Sequence, residues 1–135
     1  MNKVMLDTNI CIYLIKNKPI EVKEKFNDYE VGEICISSIT VSKLYYGVYK
    51  SQMIEKNLQA LALFLAPLNI VDYNEKASIE YGKIRAGLES AGKVIGSLDT
   101  LIAAHALSLG VTLVTNNTKE FERVNGLKLE NWITK

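Results

Sequence analysis

Three stretches of this chain carry oxygen-bearing side chains at places where chemistry can be done. The first is Val4-Met5-Leu6-Asp7-Thr8-Asn9, an apolar run that delivers a carboxylate at its end. The second is Gly96-Ser97-Leu98-Asp99-Thr100-Leu101-Ile102-Ala103, and the third is Thr115-Asn116-Asn117-Thr118-Lys119-Glu120-Phe121. Carboxylates and amides crowded together are the hard oxygen ligands that Mg²⁺ or Mn²⁺ takes through one or two protein acids plus water. A cation held that way suits phosphodiester hydrolysis, because it activates water and neutralises charge developing on phosphate oxygens. Each stretch also has a plain structural reading. Asp7 could cap a helix, as could Thr8 or Asn9. Asp99 in a first helical turn is favoured by the macrodipole, and Asn116-Asn117 is good turn chemistry. Asn117 and Glu120 are three apart, so one helical turn puts both on one side. What favours chemistry is the coincidence of all three at strand exits or helix entries.

The elements that must position these residues follow from periodicity. Short apolar runs alternate with longer helical segments, the pattern of βαβ units and a parallel sheet. Strands are expected at Val4–Leu6, Ile34–Ile36, Leu68–Val71 and Thr112–Thr115, with a weak one at Leu127–Leu129. Helices are expected near 9–16, 20–28, 39–50, 53–65, 74–90 and 98–109. Ser37 and Ser38 supply caps for the third helix, and Gly110 ends the last. In such a sheet the three stretches lie at the carboxyl edge, where α/β folds gather ligands. At 135 residues the expectation is one α/β domain over 1–135.

Other chemistries find less support. Gly92-Lys93-Val94-Ile95-Gly96-Ser97 lacks the spacing of a phosphate-cradling loop. No nucleophile elbow accompanies His105, the sole histidine, and His105 lies six positions past Asp99, off its face, so packing is the expected role. Cys11 and Cys35 show no metal spacing and read as reduced thiols of a cytosolic protein. No apolar run is long enough for a membrane span, and no signal peptide pattern is present, so the cytoplasm is the expected compartment. A net charge of +1 does not by itself point to nucleic acid. Lys16, Lys18, Lys23 and Lys25 read as a solvated helix face. Trp132, Tyr45 and Tyr46 could stack on bases, but core and interface packing is preferred.

Taken together, the motifs resemble those of PIN-domain ribonucleases, in particular the VapC toxin branch of bacterial toxin–antitoxin pairs. The first, second and third stretches match the family's first, third and fourth motifs. Ile36-Ser37-Ser38-Ile39-Thr40 followed by Leu44-Tyr45-Tyr46-Gly47 resembles its second. The resemblance implies a three-layer α/β/α sandwich around a parallel sheet of four or five strands. It implies an Mg²⁺- or Mn²⁺-dependent endoribonuclease with Asp7 and Asp99 as metal ligands and Asn117 and Glu120 beside them, supported by Thr8, Asn9 and Thr115. The substrate it implies is tRNA, cut in the initiator anticodon loop. The implied assembly is a homodimer with a VapB-type antitoxin that reaches the active site and carries the pair to promoter DNA.

The chain departs from the family pattern at one decisive place. Two residues before Tyr45 the family carries a glutamate, and here that position is Lys43. A lysine ammonium offers three donors and no acceptor, so it cannot ligate a cation. The expectation is a nuclease scaffold whose activity is impaired, with Lys43 standing electrostatically where a metal would; the alternative is a scaffold that only binds antitoxin. Asn117 also stands where many relatives have Asp. A phosphoacceptor receiver domain is a minor alternative, since Leu6 and Thr8 flank Asp7 where an acidic pair is needed. A haloacid-dehalogenase-type phosphatase is another, but it needs Asp-x-Asp and Asn9 follows Asp7 by two.

Overall fold

The computed structural model describes residues 1–133. It contains five strands, β1 (Val4–Leu6), β2 (Ile34–Ser37), β3 (Asn69–Val71), β4 (Thr112–Val114) and β5 (Leu129–Glu130). They form one sheet in the order β3-β2-β1-β4-β5, parallel at every pairing. Seven helices connect them among the described residues: α1 (Thr8–Lys16), α2 (Ile20–Asn27), α3 (Ser38–Tyr49), α4 (Ile54–Leu65), α5 (Glu75–Ala91), α6 (Ser97–Leu109) and the one-turn α7 (Thr118–Phe121).

Successive strand side chains point to opposite faces, and in a parallel sheet both faces are covered. Val4 and Leu6 accordingly join a core with Ile10, Leu14, Leu44, Val48 and Leu61 from α1, α3 and α4. Met5 and Cys35 face the other way, onto Leu88 of α5, Ile102, Ala103 and Ala106 of α6, and Phe121 of α7. The result is the expected three-layer sandwich. Ala103 and Ala106 let α6 lie close to the sheet, and Gly110 ends it in a left-handed conformation (φ 70°) that a side chain would strain.

The chain builds outward from β1 to β2 and β3, then returns to the other side of β1 with β4 and β5. Strand order therefore reverses between β1 and β4, and the crevice beyond their carboxyl ends is where such sheets bind ligands. Asp7 follows β1 and Thr115 follows β4, so both stand at that reversal.

Expected and observed elements differ in a few places. Asp7, not Thr8 or Asn9, is the N-cap of α1; Thr8 is already helical and donates its backbone N–H to Asp7 Oδ1 at 2.8 Å. The last strand falls at Leu129–Glu130 instead of Leu127–Leu129 because Leu113 and Val114 of β4 pair with it there. Tyr45 and Tyr46 are exposed on α3, which takes them out of the core and leaves only the interface half of that expectation, while Trp132 is fully buried. Lys16, Lys18, Lys23 and Lys25 are exposed. Cys11 and Cys35 are buried free thiols, and burial in apolar surroundings raises both pKa values, that of Cys35 to about 11. No helix among the described residues is long and apolar enough to cross a membrane.

His105 is a structural residue. It is fully buried on α6, with Nδ1 2.7 Å from Ser37 Oγ and its ring edge-on to Tyr73. Ser37 also caps α3 by accepting the Ile39 N–H at 3.1 Å. Burial lowers the imidazole pKa below the ordinary 6.5, against the raising pull of Asp72. The native state therefore keeps the ring neutral while the unfolded chain takes up a proton below pH 6.5. Stability is full above that pH and falls as pH drops, by at most about 1.4 kcal/mol per pH unit for one proton. Urea unfolding between pH 8 and 5 should show this decline, and His105→Gln should flatten it.

Candidate active site

Asp7 is held in place by the end of β1 and the start of α1. Its backbone N–H continues the sheet by donating to Val114 O at 2.9 Å, and its carboxylate is buried at 4% exposure. Oδ1 accepts the Thr8 N–H, and Oδ2 accepts the Thr115 hydroxyl at 2.8 Å. Thr115 Oγ1 in turn accepts the Asn117 backbone N–H at 3.0 Å. Buried carboxylates persist only when hydrogen-bonded, and this relay from the exits of two adjacent strands leaves Asp7 one fixed orientation. Thr115→Val should cost about 1–2 kcal/mol by stripping one partner from a buried carboxylate, a loss that urea titration would register.

Asp99 lies in the first turn of α6, whose N-cap is Gly96. A Cβ on Gly96 would sit 3.6 Å from Asp99 Oδ2, so the carboxylate rests directly against that turn. The Asp99 pKa is raised above the ordinary 3.8, by burial first and then by the charge of Asp7, with Lys43 pulling the other way and Glu120 adding to the rise. Asp7, Asp99 and Glu120 thus share one electrostatic neighbourhood. Lys43 reaches into it from α3, with Nζ 3.8 Å from Asp99 Oδ1. Both side chains are mostly buried, at 28% and 23% exposure. Opposite charges at that separation attract by roughly 4 kcal/mol at an effective dielectric of 20. Desolvation and the remaining water contact leave about 1 kcal/mol of that as net stabilisation.

The structure therefore brings together Asp7, Lys43, Asp99, Glu120 and Thr115. Thr8 contributes its backbone, while its buried hydroxyl has no partner among the described residues. Asn117 takes part through its backbone N–H, and its side chain makes no hydrogen bond among the described residues. Asn9 is exposed. Sequence reasoning did not find the Ser37–His105 bond, which ties the start of α3 to α6 and so sets the helix carrying Lys43 against the helix carrying Asp99. Its only sequence signal was a serine at a helix start.

A divalent cation of the Mg²⁺ type is held by one or two carboxylates free to accept it, plus water. Asp7 Oδ2 and Asp99 offer two, but among the described residues no three His, Cys, Asp or Glu side chains form a group able to hold a metal ion. On the α3 side of these acids stands the Lys43 ammonium, 3.8 Å from Asp99 Oδ1. With Lys43 in place the donor set does not fit a divalent metal.

Comparison with known proteins identifies the family. The PIN domain family model matches residues 4–127. The tRNA(fMet)-specific endonuclease VapC of Shigella flexneri is 51% identical over 132 residues, covering 98% of this chain and 99% of that protein. Ribonuclease VapC2 of Haemophilus influenzae (strain ATCC 51907 / DSM 11121 / KW20 / Rd) is 50% identical over 133 residues, with 98% and 100% covered. Among solved structures, the DNA-bound VapBC of Salmonella typhimurium superposes with a TM-score of 0.93 at 47% identity, covering 98% of this chain and 100% of that one. With 124 of its residues inside the family model and half of its positions shared with VapC enzymes over nearly full length, this chain belongs to the PIN-domain family and, within it, to the VapC ribonucleases.

Proposed function

We propose that this chain is the toxin of a toxin–antitoxin pair, built to cut initiator tRNA, and that Lys43 suppresses the cutting. The observation that carries the reading is the convergence of Asp7, Asp99 and Glu120 on one crevice with a lysine paired to Asp99. The acids supply what a phosphodiester nuclease needs. The lysine neutralises one of them and donates where an acceptor is required. Initiator tRNA is supported by the Shigella flexneri relative, a tRNA(fMet)-specific endonuclease.

The partner we propose is a VapB-type antitoxin, which would also carry the pair to promoter DNA. An apolar groove of about 220 Å³ runs between α1, α3 and α4, lined by Ile12, Leu44, Val48 and Leu61. Lys43 also lines it, so a segment lying in the groove touches the residue paired to Asp99. A protein that still binds antitoxin but no longer cuts is the second reading, favoured by the same Lys43–Asp99 pair. Mg²⁺ or Mn²⁺ is the cation proposed for the site once Lys43 is replaced by an acid. A homodimer in the cytoplasm completes the proposal.

The test is initiator tRNA incubated with the unaltered chain and with Lys43→Glu, each with and without Mg²⁺. Cleavage confined to Lys43→Glu with Mg²⁺ supports suppression by Lys43. Equal Mg²⁺-dependent cleavage by both proteins overturns it.

A further inference from the structure

We infer that a second cavity, between the carboxyl half of α5, α6 and the segment after α7, receives one nucleotide of an RNA strand. The inference rests on the proposal that RNA is the substrate. The cavity holds about 390 Å³, within the range of small-ligand sites. Its floor is apolar, made by Ile84, Leu88, Leu107 and Val124. Lys83, Lys93 and Arg123 stand at its rim against one acid, Glu80. Among the described residues none of these three cations has a carboxylate within 4.0 Å. Unpaired cations over an apolar floor match a base with its phosphate: the base gains by burial, and the phosphate takes charge-assisted bonds.

Two further observations bear on this cavity. Gly87 lines it from the carboxyl half of α5, inside the helix, where glycine costs about 1 kcal/mol relative to alanine. No atom lies within 4 Å of a Cβ placed there, so packing does not demand the glycine. What it does is keep the cavity open. Arg123 also joins the cavity to the acids. It lies three residues after Glu120 and donates from Nη1 to Val94 O at 2.9 Å, fastening the loop that ends at Gly96 against Asp99. The cationic, base-sized seat is thus linked to the acids through Arg123 and the loop before Asp99.

The test measures binding apart from cleavage, with a fluorescein-labelled eight-nucleotide single-stranded RNA in EDTA, followed by anisotropy across a salt series. Lys83→Gln/Lys93→Gln should weaken binding about tenfold and flatten the slope of log affinity against log salt by about 0.7 for each lost phosphate contact. Gly87→Leu should weaken binding about tenfold while the melting temperature holds or rises, because it fills the seat with a better helix former. If the unaltered chain binds this RNA and both variants bind it equally well, the cavity assignment fails while the RNA reading stands. If the unaltered chain binds no RNA, the RNA reading fails and the cavity falls with it. AMP displacing the RNA at equimolar concentration would mark a free-nucleotide pocket and overturn the strand assignment.

Discussion

Lys43→Glu is expected to raise Mg²⁺-dependent cleavage of initiator tRNA by about 10²–10³-fold over the unaltered chain, the range associated with one electrostatic group at a transition state. The substitution changes the local charge by two units at a point 3.8 Å from Asp99 Oδ1. It replaces a donor-only group with an acceptor and adds an acid on the α3 side of Asp7, Asp99 and Glu120. A cation bound there would activate water and neutralise phosphate charge. The cost falls on folding. Asp99 is already raised in pKa by burial and by Asp7, and Lys43 is the cation that offsets this. Without metal, Lys43→Glu should therefore unfold more easily than the unaltered chain at pH 7. Saturating Mn²⁺ should more than recover the loss, by about 2.7 kcal/mol at a hundredfold excess over Kd, a melting shift of several degrees. The unaltered chain should show no such shift. A large Mn²⁺ shift in the unaltered chain would mean that the ammonium does not keep a metal out.

Much of this arrangement was legible beforehand because it is local. Three-residue apolar runs beside helical periodicity placed β1, β2 and β4, and each strand exit announced its polar residue. The Asp7 relay was less legible. It depends on β4 pairing with β1 in the register Leu6 to Val114, which puts Thr115 next to Asp7 across 108 residues of chain. No spacing rule encodes that register. Asn9 read as a site residue because it lies two residues after Asp7, but two steps along a helix turn a side chain by about 200°, and it faces solvent. Tyr45 and Tyr46 failed as core residues for a related reason. The buried stripe of α3 runs through Thr40, Leu44 and Val48, and both tyrosines lie off it. The weight of Lys43 was readable as a departure from a resemblance, but its pairing with Asp99 required the placement of α3 against α6. Ser37 and His105, far apart in sequence, set that placement.

Asp7→Asn made in the Lys43→Glu background should return cleavage to the level of the unaltered chain, a loss of about 10²–10³-fold, while changing stability by less than about 1 kcal/mol. The two effects separate because Asp7 has two roles that depend on different properties. As the N-cap of α1 it needs only an oxygen to accept the Thr8 N–H, and an amide oxygen does that as well as a carboxylate. Toward Thr115 the amide would present its NH₂, which the hydroxyl oxygen can accept; the hydroxyl proton then loses its acceptor, at about 1 kcal/mol, and removing the charge that acts on Asp99 offsets this. As an acid beside Asp99 and Glu120 it needs charge, and the amide has none. Asp7→Ala would confuse the two, since it also removes the cap, at about 1 kcal/mol, and leaves the Thr115 hydroxyl without its acceptor. Measuring cleavage and urea unfolding on the same Asp7→Asn preparation therefore decides whether the carboxylate at the end of β1 is there for the helix or for the chemistry. Retained cleavage would assign it to the helix; lost cleavage at unchanged stability assigns it to the chemistry.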